Sequence, residues 1–158
     1  MKIIVLCTGN SCRSQIAEGL LKSKYPDYEI HSAGTKPEIN VNPYAIRAMK
    51  NTNIDISNNY PKLVDDFVDQ EFDYVLTVCD SANEICPTFH NAKNKIHNSF
   101  EDPSKDSYES DEHAMEIYNQ TVKDISNAPK KERNPKKNQG EYFISDGLFK
   151  FGINAGAK

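Results

Sequence analysis

Three residue types in one short run carry the first chemical signal. In Cys7-Thr8-Gly9-Asn10-Ser11-Cys12-Arg13-Ser14 a thiol, a guanidinium and a hydroxyl surround a glycine-containing loop. An apolar run, Ile3-Ile4-Val5-Leu6, precedes it, and a helical pattern, Gln15-Ile16-Ala17-Glu18-Gly19-Leu20-Leu21, follows. A strand that breaks into such a loop and then a helix makes an anion cradle, because loop amides and the helix N-terminus converge on one place. A helix N-terminus and an adjacent Arg lower a thiol's pKa from about 8.5. Cys7 is therefore expected as a reactive thiolate nucleophile. Thr8, Gly9, Asn10, Ser11 and Cys12, together with Arg13, are expected to hold a tetrahedral oxyanion. Ser14 is expected near the helix N-cap, where its hydroxyl holds backbone donors or steadies the Cys7 thiolate. Cys12 reads equally as a packing residue or as a reserve thiol that protects Cys7.

Two more cysteines occur as Cys79-x6-Cys86, within Cys79-Asp80-Ser81-Ala82-Asn83-Glu84-Ile85-Cys86-Pro87. Common zinc sites want two to four intervening residues in each pair; Cys7-x4-Cys12 is at that limit but Cys79-x6-Cys86 exceeds it, so no metal is expected. If 80–86 is helical, Cys79 and Cys86 stand about 10 Å apart along the axis, at ~1.5 Å per residue. A disulfide needs Cα atoms about 4.4–6.8 Å apart. Pairing them therefore requires the segment to unwind, which Asp80, Ser81, Asn83 and Pro87 favour. Two core cysteines flanking a helix is the plainer alternative. Read from its residues alone, Asp102-Pro103 is a routine turn pair.

The elements that must position these groups follow from periodicity. Strands are expected at 2–6, 28–34 and 72–78, with a short one near 95–97. Helices are expected at 14–25, with Ile16, Ala17, Leu20 and Leu21 inward, from Asn42-Pro43 to about Lys50, at 61–70 with Leu63, Val64 and Phe67 inward, and at 109–126. The last carries Ala114, Ile117, Tyr118, Val122 and Ile125 at helical spacing. Alternating strands and helices imply an α/β domain with an open parallel sheet of about four strands, flanked by helices in three layers. Ligands of such sheets sit beyond the carboxyl ends of the strands, so Cys7 and Cys79 are expected on one rim.

With 37% apolar and 27% charged residues in 158, the chain reads as one globular domain. A formal charge of −4 argues against a general nucleic-acid partner. No apolar run approaches the ~18 residues that span a bilayer, and no export signal is evident, so a cytoplasmic protein without membrane contact is expected. Residues 1–126 form the expected catalytic domain. Residues 127–158 begin as a basic, Pro-containing linker and end in an apolar extension around Tyr142-Phe143-Ile144 and Leu148-Phe149-Lys150-Phe151, which suggests a hairpin of unknown role.

The loop with Ala17-Glu18 behind it resembles the phosphate loop of the low-molecular-weight protein tyrosine phosphatase superfamily. Ser32-Ala33-Gly34, Asn42-Pro43, Asp55-Ile56-Ser57 and Asp102-Pro103 resemble further segments of it. That superfamily includes phosphatases and thioredoxin-coupled arsenate reductases. The segment from Cys79 to Cys86 resembles the reductases' redox segment. The resemblance implies arsenate as substrate, thioredoxin as reductant, a three-cysteine relay through Cys7, Cys79 and Cys86 in arsenic detoxification, and Asp102 as general acid. A monomer is expected. The alternative is a tyrosine phosphatase using Cys7 and Asp102, but Ser104-Lys105 stand where aromatics would read phosphotyrosine. Some reductases of this kind hold potassium through Asn, Glu, Ser and Asp. Asn10, Glu18 and Ser32 match, whereas Lys62 stands at the fourth position, so no cofactor and no potassium are expected.

Overall fold

A computed structural model describes residues 1–85, 89, 92–105 and 107–128. Among these residues the elements run in the order β1 (Lys2–Cys7), α1 (Arg13–Lys24), β2 (Glu29–Gly34), α2 (Pro43–Lys50), a 3-10 turn (Val64–Phe67), β3 (Phe72–Thr77), α3 (Asp80–Ile85), β4 (Ala92–His97), a further 3-10 turn (Pro103–Lys105) and α4 (Asp111–Ser126). The four strands form one parallel sheet in the order β2-β1-β3-β4. The expected architecture is the observed one.

β1 lies inside the sheet between β2 and β3 and is buried on both faces. That is why Ile3, Ile4, Val5 and Leu6 run without a polar break, all at most 1% exposed. β4 is at the edge, and its Lys93 and Lys95 point into solvent, which discourages pairing with another chain. The chain leaves β1 in one direction to reach β2 and returns on the other side for β3. Cys7 ends β1 and Cys79 follows β3, so both stand at this switch point.

α1 buries Ile16, Ala17, Leu20 and Leu21 as its spacing predicts, and also Ser14, Gln15 and Glu18. Packed against β1 and β2 and crossed by α2 and α4, it has little free surface, and its polar residues serve the loop before it. α2 starts as expected: Asn42 Oδ1 accepts from Tyr44 N at 2.9 Å, with Pro43 in the first turn. On α4, Ser110 caps His113 N at 3.0 Å. Ala114, Tyr118, Val122 and Ile125 are buried, while Ile117 is only half-buried.

One expected helix is absent. Residues 61–70 contain only the short turn Val64–Phe67, and Leu63 is 37% exposed rather than inward. The backbone of 62–63 is engaged elsewhere: Lys62 O accepts from Gly34 N at 2.8 Å, Lys62 N donates to Asn10 Oδ1 at 2.8 Å, and Leu63 bridges Gly34. Those bonds hold the segment extended against the loop, so it cannot be a helix there. The proposed C-terminal hairpin lies outside the described residues.

Candidate active site

The loop is laced to its neighbours before any ligand is considered. Thr8 O, Gly9 O and Ser11 O accept from Lys36 N, Glu38 N and Asn42 N at 2.8–2.9 Å. Gly34 approaches so closely that a Cβ there would collide with Thr8 O and stand 3.0 Å from Asn10 Cβ. The glycine is needed for this contact between β2 and the loop. Asn10 takes a left-handed backbone, φ 48°, a region Asn tolerates better than most residues.

A buried hydrogen-bond chain then runs to the sulfur, and one backbone donor fixes its direction. Lys62 N can only donate, so the Asn10 oxygen facing it must be the acceptor. Asn10 Nδ2 therefore donates to Ser14 Oγ at 2.7 Å and to Ser32 Oγ at 2.9 Å. The Ser14 hydroxyl is also 2.8 Å from Cys7 Sγ, and it donates there when Cys7 is the thiolate, which can only accept. Asn10 N adds a second donor to the sulfur at 3.2 Å. Ser32 Oγ donates to Glu18 Oε2. Ser14 is thus not the helix cap. Cys12 occupies the cap position with no capping hydrogen bond, and Ser14, one residue inside α1, serves Cys7.

The expectation of a lowered Cys7 pKa is corrected. Burial is the largest influence on this 3%-exposed thiol and pushes its pKa above the ordinary value, while the donors from Ser14 and Asn10 oppose the rise. Arg13 is turned towards the opposite wall: Nη1 donates to Phe100 O at 2.9 Å and Nη2 lies 3.4 Å from Asp102 Oδ2. Cys12 is buried as well, and burial pushes its thiol up.

Cys7, Thr8, Gly9, Ser11, Cys12, Arg13, Cys79 and Asp102 line one open cleft of about 1010 Å³. The sequence-derived candidates thus converge, with Asn10 and Ser14 behind the wall. Cys79 is 5% exposed, and its sulfur is 3.5 Å from Thr8 Oγ1, so the oxyanion loop touches the second cysteine directly. Cys7, Cys12 and Cys79 are free thiols. Cys86 lies outside the described residues. Asp102 Oδ1 accepts from Ser104 N and Oγ at 3.1 and 2.7 Å, the turn-forming bonds expected before a 3-10 start, while Oδ2 faces Arg13. Ser104 and Lys105 line the cleft. Tyr108 instead donates to Pro103 O at 2.6 Å and packs on Tyr44 and Tyr118, away from it.

The residues matching a potassium site do not fit a bound cation. Glu18 Oε1 accepts from Lys22 Nζ at 2.6 Å, Oε2 accepts from Ser32, and Asn10 Oδ1 accepts from Lys62 N. The Lys62 ammonium faces Glu18 Oε2 at 3.8 Å and donates to Tyr60 O at 3.1 Å. Sequence reading missed Gln15 and Tyr60, which brace Asn10 from the same side: Gln15 Nε2 donates to Asn10 O, Asn10 Oδ1 and Tyr60 O at 3.1–3.2 Å. A buried Gln between Ser14 and Glu18 in the first turns of α1 was the available clue.

A cysteine and an arginine set in a strand–loop–helix turn at the switch point of a parallel sheet define a phosphatase-type oxyanion site. The chain belongs to the low molecular weight phosphotyrosine protein phosphatase family, whose model matches residues 2–132. Within it, the chain is 43% identical over 104 residues to an arsenate reductase of Halalkalibacterium halodurans, covering 65% of this chain and 74% of the relative. Among solved structures it is similar to an arsenate reductase in the phosphate-binding state, with TM-score 0.60, 28% identity, and coverage of 78% of this chain and 95% of that one. It is also similar to a low molecular weight protein tyrosine phosphatase from T. tengcongensis, with TM-score 0.64, 25% identity, and coverage of 78% and 91%.

Proposed function

We propose that this chain reduces arsenate to arsenite through Cys7, Cys79 and Cys86, with a thioredoxin-class dithiol as the external reductant. The observation that carries the reading is a second free thiol, Cys79, on the same cleft as the nucleophile. The likeness to curated arsenate reductases supports it. Hydrolysis of a phosphate ester needs Cys7, Arg13 and an acid, and has no use for Cys79.

The steps balance as follows. Cys7 sulfur forms a bond to arsenic, one arsenic–oxygen bond breaks, and the oxygen leaves as water after protonation. Asp102 is the acid in reach of the cleft. Cys79 sulfur then attacks Cys7 sulfur. A disulfide forms, the sulfur–arsenic bond breaks, and its electron pair stays on arsenic, which leaves as arsenite. Two thiols have been oxidised and arsenic(V) reduced to arsenic(III). Cys86 attacks Cys79, releasing Cys7 as the leaving thiolate, and the external dithiol reduces the Cys79–Cys86 disulfide. Arg13 and the loop amides hold the oxyanion throughout. Ser14 hydrogen-bonds the Cys7 sulfur both when it attacks and when it leaves.

The reading extends to a monomer in the cytoplasm that binds no nucleic acid and needs no cofactor or metal. Among the described residues no helix is long and apolar enough to cross a membrane. The Lys62 ammonium beside Glu18 supplies positive charge at the position matching the potassium site that the resemblance implies for some reductases, so activity is expected to be indifferent to that ion.

The test is arsenate-dependent NADPH oxidation coupled through thioredoxin and its reductase. Turnover is expected, and Cys86→Ser is expected to give one equivalent of arsenite and stop. Unchanged steady-state turnover in Cys86→Ser overturns the relay. Hydrolysis of aryl phosphates with no arsenate reduction favours the tyrosine phosphatase alternative through Cys7 and Asp102.

A further inference from the structure

Cys79 sits in a four-residue junction whose two ends meet one imidazole. Thr77 closes β3, and its hydroxyl is 2.8 Å from His97 Nδ1. Asp80 opens α3, and its Oδ1 is 3.0 Å from His97 Nε2. His97 ends β4 in register with Thr77, and Asn98 N donates to Thr77 O at 2.9 Å. A carboxylate only accepts, so Nε2 carries a proton. Nδ1 then either accepts from the Thr77 hydroxyl or, in the imidazolium, donates to it, and the bridge exists in both protonation states.

Among the described residues, backbone hydrogen bonds to neighbouring elements secure the junction as far as Val78. Val78 N donates to Leu6 O at 3.0 Å, and Val78 O accepts from Phe100 N at 3.1 Å. Beyond Val78 come Cys79 and the six-residue α3, too short to be stable as an isolated helix. The bridge from Asp80 to His97 ties the start of that helix to the sheet.

We propose that His97 is a positioning residue for the second cysteine: by stapling Thr77 to Asp80 it keeps Cys79 on the cleft, beside Thr8 and Cys7, while α3 opens. This rests on the relay reading, in which a thiol at position 86 must reach Cys79 across a distance that an intact helix does not allow. Were the whole segment to loosen, Cys79 would leave the cleft. With Asp80 stapled, α3 comes apart beyond its first residue and the attacking sulfur stays aligned on Cys7.

The experiment uses the full chain with Cys86→Ser, so that arsenate drives formation of the Cys7–Cys79 disulfide and nothing resolves it. Reduced protein is mixed with arsenate, quenched with acid and alkylating agent, and the disulfide is counted by mass spectrometry. His97→Ala and Asp80→Ala are each expected to slow its formation about tenfold or more, the scale on which small misalignments of reacting groups act. The double variant is expected to be no slower than either single, since both remove one bridge. Inorganic phosphate affinity of His97→Ala, which reports the loop, is expected to stay within about twofold. Rates within about twofold of the parent overturn the proposal, as does an equal loss of phosphate binding, which marks general damage. Asp80→Ala alters a 78%-exposed side chain and keeps the test open should His97→Ala fail to fold. If the Cys86→Ser parent forms no such disulfide, the relay itself fails, and His97 has no thiol to position.

Discussion

The Ser14 hydroxyl stands 2.8 Å from Cys7 Sγ while it accepts a hydrogen bond from Asn10 Nδ2 at 2.7 Å. This couples the protonation of the nucleophile to a buried network rather than to solvent. Burial raises the Cys7 pKa and Ser14 partly offsets the rise. Cys7 is thus mostly the thiol at neutral pH in the free protein. Alkylation by iodoacetamide should keep accelerating as pH climbs past 9, without a plateau near neutrality. Ser14→Ala should move the profile further up, because the thiolate then loses a hydrogen-bond donor. A plateau below pH 7 in the wild type would contradict this.

Arg13 reaches both Phe100 O and Asp102 across the cleft. A lysine keeps the charge but not the planar fork, and cannot hold the wall and an oxyanion together. Arg13→Lys should lower kcat/KM for arsenate about a hundredfold, with thermal stability nearly unchanged. Steady-state kinetics and a melting curve together check it.

Gly34 and Gly19 make a paired stability test. A Cβ at Gly34 meets the backbone oxygen of Thr8, which cannot step aside without moving the loop. At Gly19 it meets Met49 Cε and Ile56 Cγ2, both at 2.8 Å, and the methionine end is flexible. Gly34→Ala should cost about 1–3 kcal/mol and lower activity, whereas Gly19→Ala should cost less and leave activity near normal. Denaturant unfolding of both ranks them; the reverse order would refute the close-approach account.

Lys62 gives a prediction about ions. Melting temperature and turnover in potassium chloride should equal those in choline chloride at matched ionic strength. A potassium-specific rise in either would show that the ammonium near Glu18 does not occupy the cation's place. Lys62→Asp should introduce such a rise, because the carboxylate supplies the missing oxygen donor.

Much of the site was legible early because its signal is local. The apolar run of β1, the glycine-containing loop and the first turn of α1 are consecutive, so Cys7, Arg13 and the cradle could be read as one device. The same holds for Asn42-Pro43, where capping chemistry places the helix start within a residue. Segment 61–70 was misread because its conformation is set by partners distant in sequence. Leu63, Val64 and Phe67 have helical spacing, but Lys62 donates its amide to Asn10 and Leu63 bridges Gly34.

By itself the sequence pointed to Cys7 and the loop around it, the alternation that builds a parallel sheet, and the presence of further thiols, since each depends on neighbours along the chain. Only the tertiary structure decided how those parts are tuned. Sheet order brings Cys79 to within 3.5 Å of Thr8, Lys62 fixes the direction of the hydrogen bonds behind Cys7, and burial reverses the expected shift of its thiol. The reason is that desolvation and hydrogen-bond direction depend on which atoms surround a group in space, and residues as far as 87 positions apart supply those atoms here.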